Sequence, residues 1–438
     1  MKKILVLGAG LSASYLIKYF LDQAAKEDWF ITVADTNLQL AQGKVGKSKY
    51  ARAVSLDITD PVLRSKYIKE ADIVVSLLPP TIHIEAAKDC LFLRKHLVTA
   101  SYITDEMKAL HTEALKANVL FLNEIGLDPG IDHLSAMQMI HEIQRKGGVI
   151  TTFKSYCGGL VAPEYDNNPW NYKFTWNPRN VILAGQATAK YLENGLLKFI
   201  PPNRIFTQTE QVMVPGYGKF ETYANRDSLG YIKPYGIGSA KTVIRGTLRK
   251  IGFGRSWNKL VRLGLTDDTY QLPNSENMTY RDLVCSFLSG ATNNNLELQL
   301  SRFLDISIGS KAFKKIKWLG LLEPKIIGIQ NASPAQILQQ LLQEKWKLEA
   351  GELDMIVMKH EIAYKLNGKS HKAHSSLVVK GETQQLTAMS KTVGLPLAIA
   401  TKLILKGKIK SRGVQIPIAR EFYEPILKEL TKYGVNFV

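Results

Sequence analysis

KILVLGAGLSA, residues 3–13, is an apolar run that stops abruptly at a glycine-rich turn and continues as a helix-like stretch through Phe20. A second apolar run, Ile31–Ala34, ends on Asp35. Strand, G-x-G-x-x-A turn, helix and a second strand closed by an acid form the dinucleotide-binding fingerprint in its proper setting. Gly8 permits the tight turn and Gly10 lets backbone approach a pyrophosphate. Leu11, Ser12 and Ala13 open the helix whose N-terminus receives the phosphates, and Ala13 is small enough for close helix–sheet packing. Asp35 is placed to accept both ribose hydroxyls of NAD.

The pattern that starts there repeats. Candidate strands at Lys3–Leu7, Ile31–Asp35, Ala51–Leu56, Ile73–Leu77, His96–Thr99 and Val119–Leu122 alternate with helical stretches, among them Pro61–Ile68, His83–Leu93 and Asp105–Ala117. Alternating β and α units predict a doubly wound parallel sheet with right-handed crossovers. Ligands of such sheets bind beyond the carboxyl ends of the strands. Those ends offer Asp57-Ile58, Leu77-Leu78, Thr99–Tyr102 and Asn123-Glu124 beside the glycine loop and Asp35.

After Gly130 the texture changes. Val149–Tyr156 reads as a strand broken at Gly158-Gly159, and a loop rich in Pro, Asn and aromatics runs from Ala162 to Pro178. Helical segments follow at Ser256–Leu263, Tyr280–Leu288, Asn295–Leu304 and Pro334–Leu342. Leu353–Tyr364 and Ser370–Val379 alternate around Asn367-Gly368, a strong hairpin signal. Gln385–Leu405 reads as a long buried helix, with another at Pro425–Lys432. The expected organisation is therefore a Rossmann-like domain over 1–127, joined by the C-terminal helices of 385–438. A mixed α/β substrate-binding and dimerisation domain takes 128–251 and 350–384, and a helical insertion takes 252–349.

The 438 residues, 45% hydrophobic and 22% charged, suit a soluble globular protein with a large core. Three cysteines, Cys90, Cys157 and Cys285, argue against a disulfide framework and for a reducing compartment. Neither CxxC nor HExxH occurs and the histidines lack ligand spacing, so no metal is expected. No signal peptide and no uninterrupted apolar run of membrane-spanning length is apparent, which makes a cytoplasmic setting the default. The net charge of +18 suits either nucleic acid or small polyanionic ligands. Without a nucleic-acid-binding motif the second reading is favoured, and Lys311–Lys317 (KAFKKIK) is read as a solvated helix face.

Polar residues gather where a plain core would not place them: Ser101-Tyr102 after the fifth strand, Asn123–His133 after the sixth, and Ser155–Leu160 beside paired glycines. Asp128 is read either as a cap for a helix starting near Pro129 or as a proton carrier. Cys157 is read as a small buried hydrophobe or a reacting thiol. Arg226 has the look of an ordinary surface charge, whereas Arg245, in an apolar context beside Gly246, suits a planar fork gripping a carboxylate.

Residues 4–13, 99–103, 123–133, 155–164, 168–176, 226–228 and 242–248 together resemble the saccharopine dehydrogenase family, most of all its L-glutamate-forming branch. NEIGLDPGIDH and SYCGGLVAPE are long, specific strings. The resemblance implies reversible NAD(P)-dependent oxidation of saccharopine to glutamate and 2-aminoadipate 6-semialdehyde, by a homodimer. It places Ser101, Tyr102, Asp128, Arg226, Arg245, Gly246 and Thr247 at the substrate, and Asp128, Tyr102 and Cys157 as the proton-handling set. It brings the segment near Trp176 over the cofactor, beside Ser101. A related imine-reducing enzyme, such as a carboxynorspermidine dehydrogenase, and a non-catalytic nucleotide-sensing protein are the alternatives. Relatives that use NADP tend to carry a basic or hydroxyl residue where this chain has Asp35. That acid predicts a preference for NAD, with NADP possible.

Overall fold

The computed structural model describes residues 1–438, the side chain of Pro80 excepted. Six strands of the first unit form as the alternation predicts: β1 (Lys2–Leu7), β2 (Trp29–Asp35), β3 (Ala51–Ser55), β4 (Ile73–Ser76), β5 (His96–Thr99) and β6 (Leu120–Leu122). They lie parallel in the order β6-β5-β4-β1-β2-β3. The apolar runs of all but the edge strand β3 are buried on both faces, as a helix-covered parallel sheet requires.

The second unit is built on β7 (Val149–Val161), β8 (Ala189–Glu193), β9 (Leu196–Ile200), β10 (Thr209–Val214), β11 (Gly218–Ala224), β12 (Thr242–Lys250), β13 (Asp354–Leu366) and β14 (Lys369–Lys380). The main order is β10-β11-β12-β7-β13-β14, with the β8–β9 hairpin appended to β12. The β12–β7 pair is parallel and its neighbours antiparallel, so the sheet is mixed. Asn367 and Gly368 turn the β13–β14 hairpin at φ of 49° and 77°, the left-handed pair that matches strand twist.

The expected break at Gly158-Gly159 does not occur, because β7 runs straight through both. The glycines serve packing instead: an added β-carbon on Gly158 would lie 2.5 Å from the Leu248 carbonyl oxygen, and one on Gly159 2.8 Å from the Met389 methyl. Residues 105–117 form two helices, Asp105–Ala109 and His111–Lys116, rather than one. The second is turned so that His111 Nδ1 accepts the Val414 N–H at 3.2 Å. The 311–317 run is not simply solvated. It belongs to helix Lys311–Leu319, whose Phe313, Ile316 and even Lys315 are buried.

After β14 the chain returns to the first unit. Helix Ala388–Leu405 packs on Ala13–Glu27 so closely that a β-carbon on Gly394 would lie 2.7 Å from the Leu16 nitrogen. Its N-terminus is held by the Asp354 carboxylate, which accepts from the Ala388 and Met389 amides at 2.6 and 2.9 Å. This helix is long and apolar enough to cross a membrane by length and composition, and 78% of it is buried within the fold. Strand β15 (Gly413–Gln415) then pairs in parallel with β6, making the first sheet seven-stranded.

Candidate active site

At the glycine loop, Gly8 has φ +99°, and an added β-carbon there would lie 3.3 Å from the Leu77 carbonyl oxygen. Gly10 differs: a β-carbon would meet nothing within 4 Å, so clear space stands in front of the turn. Ala13 is buried against the sheet while Leu11 projects outward. Ser12 caps the helix without a side-chain capping bond, which leaves its hydroxyl for another partner. Backbone donors, open space and a helix N-terminus fit the phosphates of a dinucleotide. Half-buried Asp35 is folded onto the loop, its carboxylate accepting the Ala9 and Asn37 amides at 2.7 and 2.9 Å.

Farther along the strand ends, exposed Asp57 is tied to Thr59, and Leu78 is half-buried. Ile58 is buried in the core, and its carbonyl accepts from Arg64 Nη1 at 2.8 Å. Only backbone atoms of Ile58 therefore remain near the cleft. Ser101 Oγ lies 2.7 Å from His83 Nε2, and His83 Nδ1 lies 2.8 Å from Ser76 Oγ. Burial pushes the His83 imidazole down to about 4, so it stays neutral and bridges the two hydroxyls. Half-buried Trp176 touches the cores of both units.

The other end of the cleft starts from a loop folded tightly on itself. Gly126 N–H donates to the Pro129 carbonyl at 2.9 Å, and Gly130 adopts φ +149°, where an added β-carbon would lie 2.0 Å from the Gly126 carbonyl oxygen. Gly130 N–H then donates to Asp132 at 2.6 Å. The helix begins at Ile131, so Asp128 is not its cap. The Asp128 carboxylate points instead at Arg245, whose Nη2 lies 2.6 Å from Asp128 Oδ1 and 2.6 Å from Asp132 Oδ2. Tyr102 O–H donates to Asp128 Oδ1 at 3.3 Å.

The Arg245 guanidinium sits 4.3 Å above the Tyr231 ring, and that of Arg226 lies 5.2 Å from the Tyr102 ring. Tyr102, Arg226, Tyr231 and Arg245 line, with Asn225 and Asp227, a cavity of about 160 Å³. A larger hollow of about 600 Å³ lies away from all of these residues, between Gln138 and the C-terminal helix. Arg226 is exposed, held at φ +48°, and shows no carboxylate partner within 4 Å among the described residues.

Burial pushes the Asp128 carboxyl up, and the neighbouring Asp132 charge adds to this against the pull of Arg245. Burial opposes ionisation of Asp132 as well, but His133, Arg245 and the Gly130 amide together hold it below the ordinary range. Two close carboxylates sharing one guanidinium differ in proton affinity. Asp132 is therefore held ionised, and Asp128 is the carboxyl whose proton affinity is raised. Burial raises the Tyr102 phenol and the Cys157 thiol too, the latter further through Asp128 and Asp132. Cys157 is thus a protonated thiol rather than a ready nucleophile.

Strand register explains the rest. Cys157 lies opposite half-buried Thr247, and Arg245 opposite Ser155. Gly246 faces away: an added β-carbon would meet the Tyr223 carbonyl oxygen at 2.7 Å and Tyr156 at 2.9 Å, so only its backbone is available to a ligand. Asp132, Tyr231 and His83 complete the site but were not among the residues expected from sequence. Asp132 and His83 stand within recognisable motif and helix positions. Tyr231 gives no local signal at all.

Residues 4–122 match the family model for the saccharopine dehydrogenase NADP binding domain, and residues 126–435 that for the saccharopine dehydrogenase C-terminal domain. A Schizosaccharomyces pombe protein named saccharopine dehydrogenase [NADP(+), L-glutamate-forming] is 34% identical over 100% of this chain and 98% of its own length. Alpha-aminoadipic semialdehyde synthase of Arabidopsis thaliana is 37% identical over 97% of this chain, which spans only 42% of that longer protein. The apo structure of saccharopine dehydrogenase (L-Glu forming) from Saccharomyces cerevisiae superposes with a TM-score of 0.90 at 35% identity, covering 100% and 99% of the two chains. Two family models in series over one fold, matched along the whole length, leave no other assignment: the chain belongs to the saccharopine dehydrogenase family.

Proposed function

We propose that this protein is a pyridine-nucleotide-dependent saccharopine dehydrogenase of the L-glutamate-forming type. The observation that carries the reading is the Asp128–Arg245–Asp132 cluster beneath Tyr102 and Arg226, placed where the strand ends of the nucleotide-binding sheet meet the mixed sheet. Saccharopine is a secondary amine with three carboxylates. A bound nicotinamide supplies the hydride acceptor for the carbon next to that amine, and the resulting imine is hydrolysed to glutamate and 2-aminoadipate 6-semialdehyde.

The chain's own residues bind, orient and move protons. Arg226, Arg245, Ser101 and Thr247 receive carboxylates, with the Gly246 backbone beside them. A carboxylate arriving at Arg245 competes with Asp128 for the guanidinium, which raises the proton affinity of Asp128 at the moment a proton must be taken. Tyr102 steadies Asp128 through its hydroxyl. Cys157, held as a thiol, lends a weak donor near the reacting carbon.

Nucleotide contacts come from Gly8, Gly10, Leu11, Ser12, Ala13, Asp35, Asp57, Ile58 (by its backbone), Leu78, Ser101 and Trp176. Asp35 favours NAD in this reading, in departure from the NADP(+) in the relatives' names, because its carboxylate repels a 2′-phosphate. A homodimer in the cytoplasm completes the reading. The test is spectrophotometric: saccharopine with NAD or NADP should produce reduced nicotinamide, and 2-aminoadipate semialdehyde plus glutamate should consume it. No turnover in either direction with either nucleotide sinks the reading.

A further inference from the structure

Glu124 follows β6 in the left-handed conformation, φ +57°, and is 2% exposed. A carboxylate both buried and held in disfavoured backbone persists only where its surroundings demand it. Its partners supply that demand. Oε1 accepts the Ile103 N–H at 3.0 Å, while Oε2 accepts the His133 Nε2–H at 2.8 Å and the Tyr231 O–H at 3.1 Å. Burial opposes its ionisation, but His133 and the Ile103 amide hold the carboxyl below its ordinary value.

These three partners come from three segments, and each stands one step from the reacting end. Ile103 follows Tyr102, whose hydroxyl meets Asp128. His133 follows Asp132, the second carboxylate on Arg245. Tyr231 arrives from the second unit and carries the Arg245 guanidinium on its ring. One carboxylate at the end of a nucleotide-domain strand therefore ties together the Tyr102 loop, the Asp132 helix and the Tyr231 platform. His133 extends the chain through its other nitrogen to the Tyr235 hydroxyl.

We propose that Glu124 is a positioning residue that assembles the carboxylate-binding end, fixing Tyr102 and Tyr231 across the two units so that Arg245 and Asp128 face the substrate in register. The proposal rests on the saccharopine reading above. A glutamine is a poorer replacement for this carboxylate: turned one way its NH2 group meets the Ile103 amide donor to donor, and turned the other way it keeps His133 and Tyr231 only if His133 changes tautomer and the Tyr231 hydroxyl gives up its acceptor.

The experiment compares Glu124→Gln, Tyr231→Phe and the double variant in the full-length protein. Steady-state kinetics with saccharopine are read across pH 5.5–9, and reduced-nucleotide binding by fluorescence. Glu124→Gln should raise the KM for saccharopine about tenfold or more, while the Kd for reduced nucleotide stays within about twofold. Its acid limb in kcat/KM should move to higher pH, because Asp128 loses Tyr102 and Arg245 as close partners. Tyr231→Phe should shift the same quantities by less, and the double variant should fall short of the product of the two, since both break one shared bond. An unchanged KM and pH profile in Glu124→Gln overturns the proposal, and so does a loss shared equally by saccharopine and nucleotide. If Glu124→Gln does not fold, Tyr231→Phe, which deletes a single hydroxyl, supplies the same readout and decides the question in the same way. Absence of turnover in the parent protein counts against the saccharopine reading itself. An active parent with an indifferent Glu124→Gln counts against Glu124 alone.

Discussion

The two ends of the cleft hold carboxylates in opposite ways. At the nucleotide end Asp35 is half-buried and satisfied by backbone amides lying within the first 37 residues of the chain. At the proposed substrate end half-buried Asp128 and buried Asp132 share one side chain, that of Arg245, more than a hundred residues away, with the Tyr102 hydroxyl and the Gly130 amide as further donors. Backbone amides stay in place when a nearby side chain changes. A shared guanidinium does not, because removing it leaves its carboxylates uncompensated in a low-dielectric site. The nucleotide end is thus open to independent tuning, and the substrate end behaves as one unit.

The strongest way to break that comparison is Arg245→Ala. It strands the buried Asp132 carboxylate beside half-buried Asp128, a kind of change that costs about 3–5 kcal/mol, and should lower the denaturant midpoint clearly as well as abolish saccharopine turnover. Arg226→Ala is its control. This arginine is exposed, so the midpoint should hold while the saccharopine KM rises about tenfold, the equivalent of about 1.4 kcal/mol. If both variants keep the parental midpoint, Arg245 is a simple ligand-binding charge and the substrate end is not a coupled unit.

Asp128→Asn sharpens the same point. The amide keeps the shape and still accepts from Arg245 and Tyr102, but it carries no transferable proton. General-base losses run about 10²–10⁴-fold, and a fall in kcat of about a hundredfold is expected with the fold retained. The sign of the pH effect follows from the raised Asp128 carboxyl. Activity needs the ionised form, so the parental kcat/KM should fall as pH drops through a value above the ordinary carboxylate range. The residual rate of Asp128→Asn should lack that limb. An acid limb that survives the substitution would assign it to another group.

The contrast between the two ends also governs what could be read from the chain alone. The nucleotide end is local: strand, glycine turn and terminal acid follow one another within Lys3–Asp35, and period and turn chemistry locate them. The hairpin at Asn367-Gly368 was legible for the same reason. The mixed sheet was harder, since β8 to β12 are short strands around turns and their order depends on non-local pairing. Gly158-Gly159 misled because glycine marks a break or a close approach with equal ease, and only the Leu248 backbone and Met389 show which. Asp128 and Arg245 stand far apart in the sequence, and Asp128 precedes Pro129 just as a helix cap would. Their bond, and the part played by Asp132 and Tyr231, depend on how the β12 face meets the loop after β6.

The smallest expected effect lies at the tunable end. A 2′-phosphate beside Asp35 meets a like charge at close range, worth about 4 kcal/mol at 4 Å with an effective dielectric near 20 and about 1 kcal/mol in water. Asp35 is half-exposed and already accepts two amides, so the lower part of that range applies. One to two kcal/mol is about a five- to thirtyfold ratio, and a preference for NAD of that order in kcat/KM is the prediction. Lys44, which meets the Ser14 hydroxyl on the first helix, is a cation near enough to offset part of it. Asp35→Ser should bring the two nucleotides to near parity without altering the denaturant midpoint or the saccharopine KM, because the substrate end does not depend on Asp35. Equal efficiency with both nucleotides in the parent would show that the loop amides and Lys44 already neutralise the carboxylate. A change in saccharopine KM on Asp35→Ser would show that the two ends are not independent, and the comparison itself would fail.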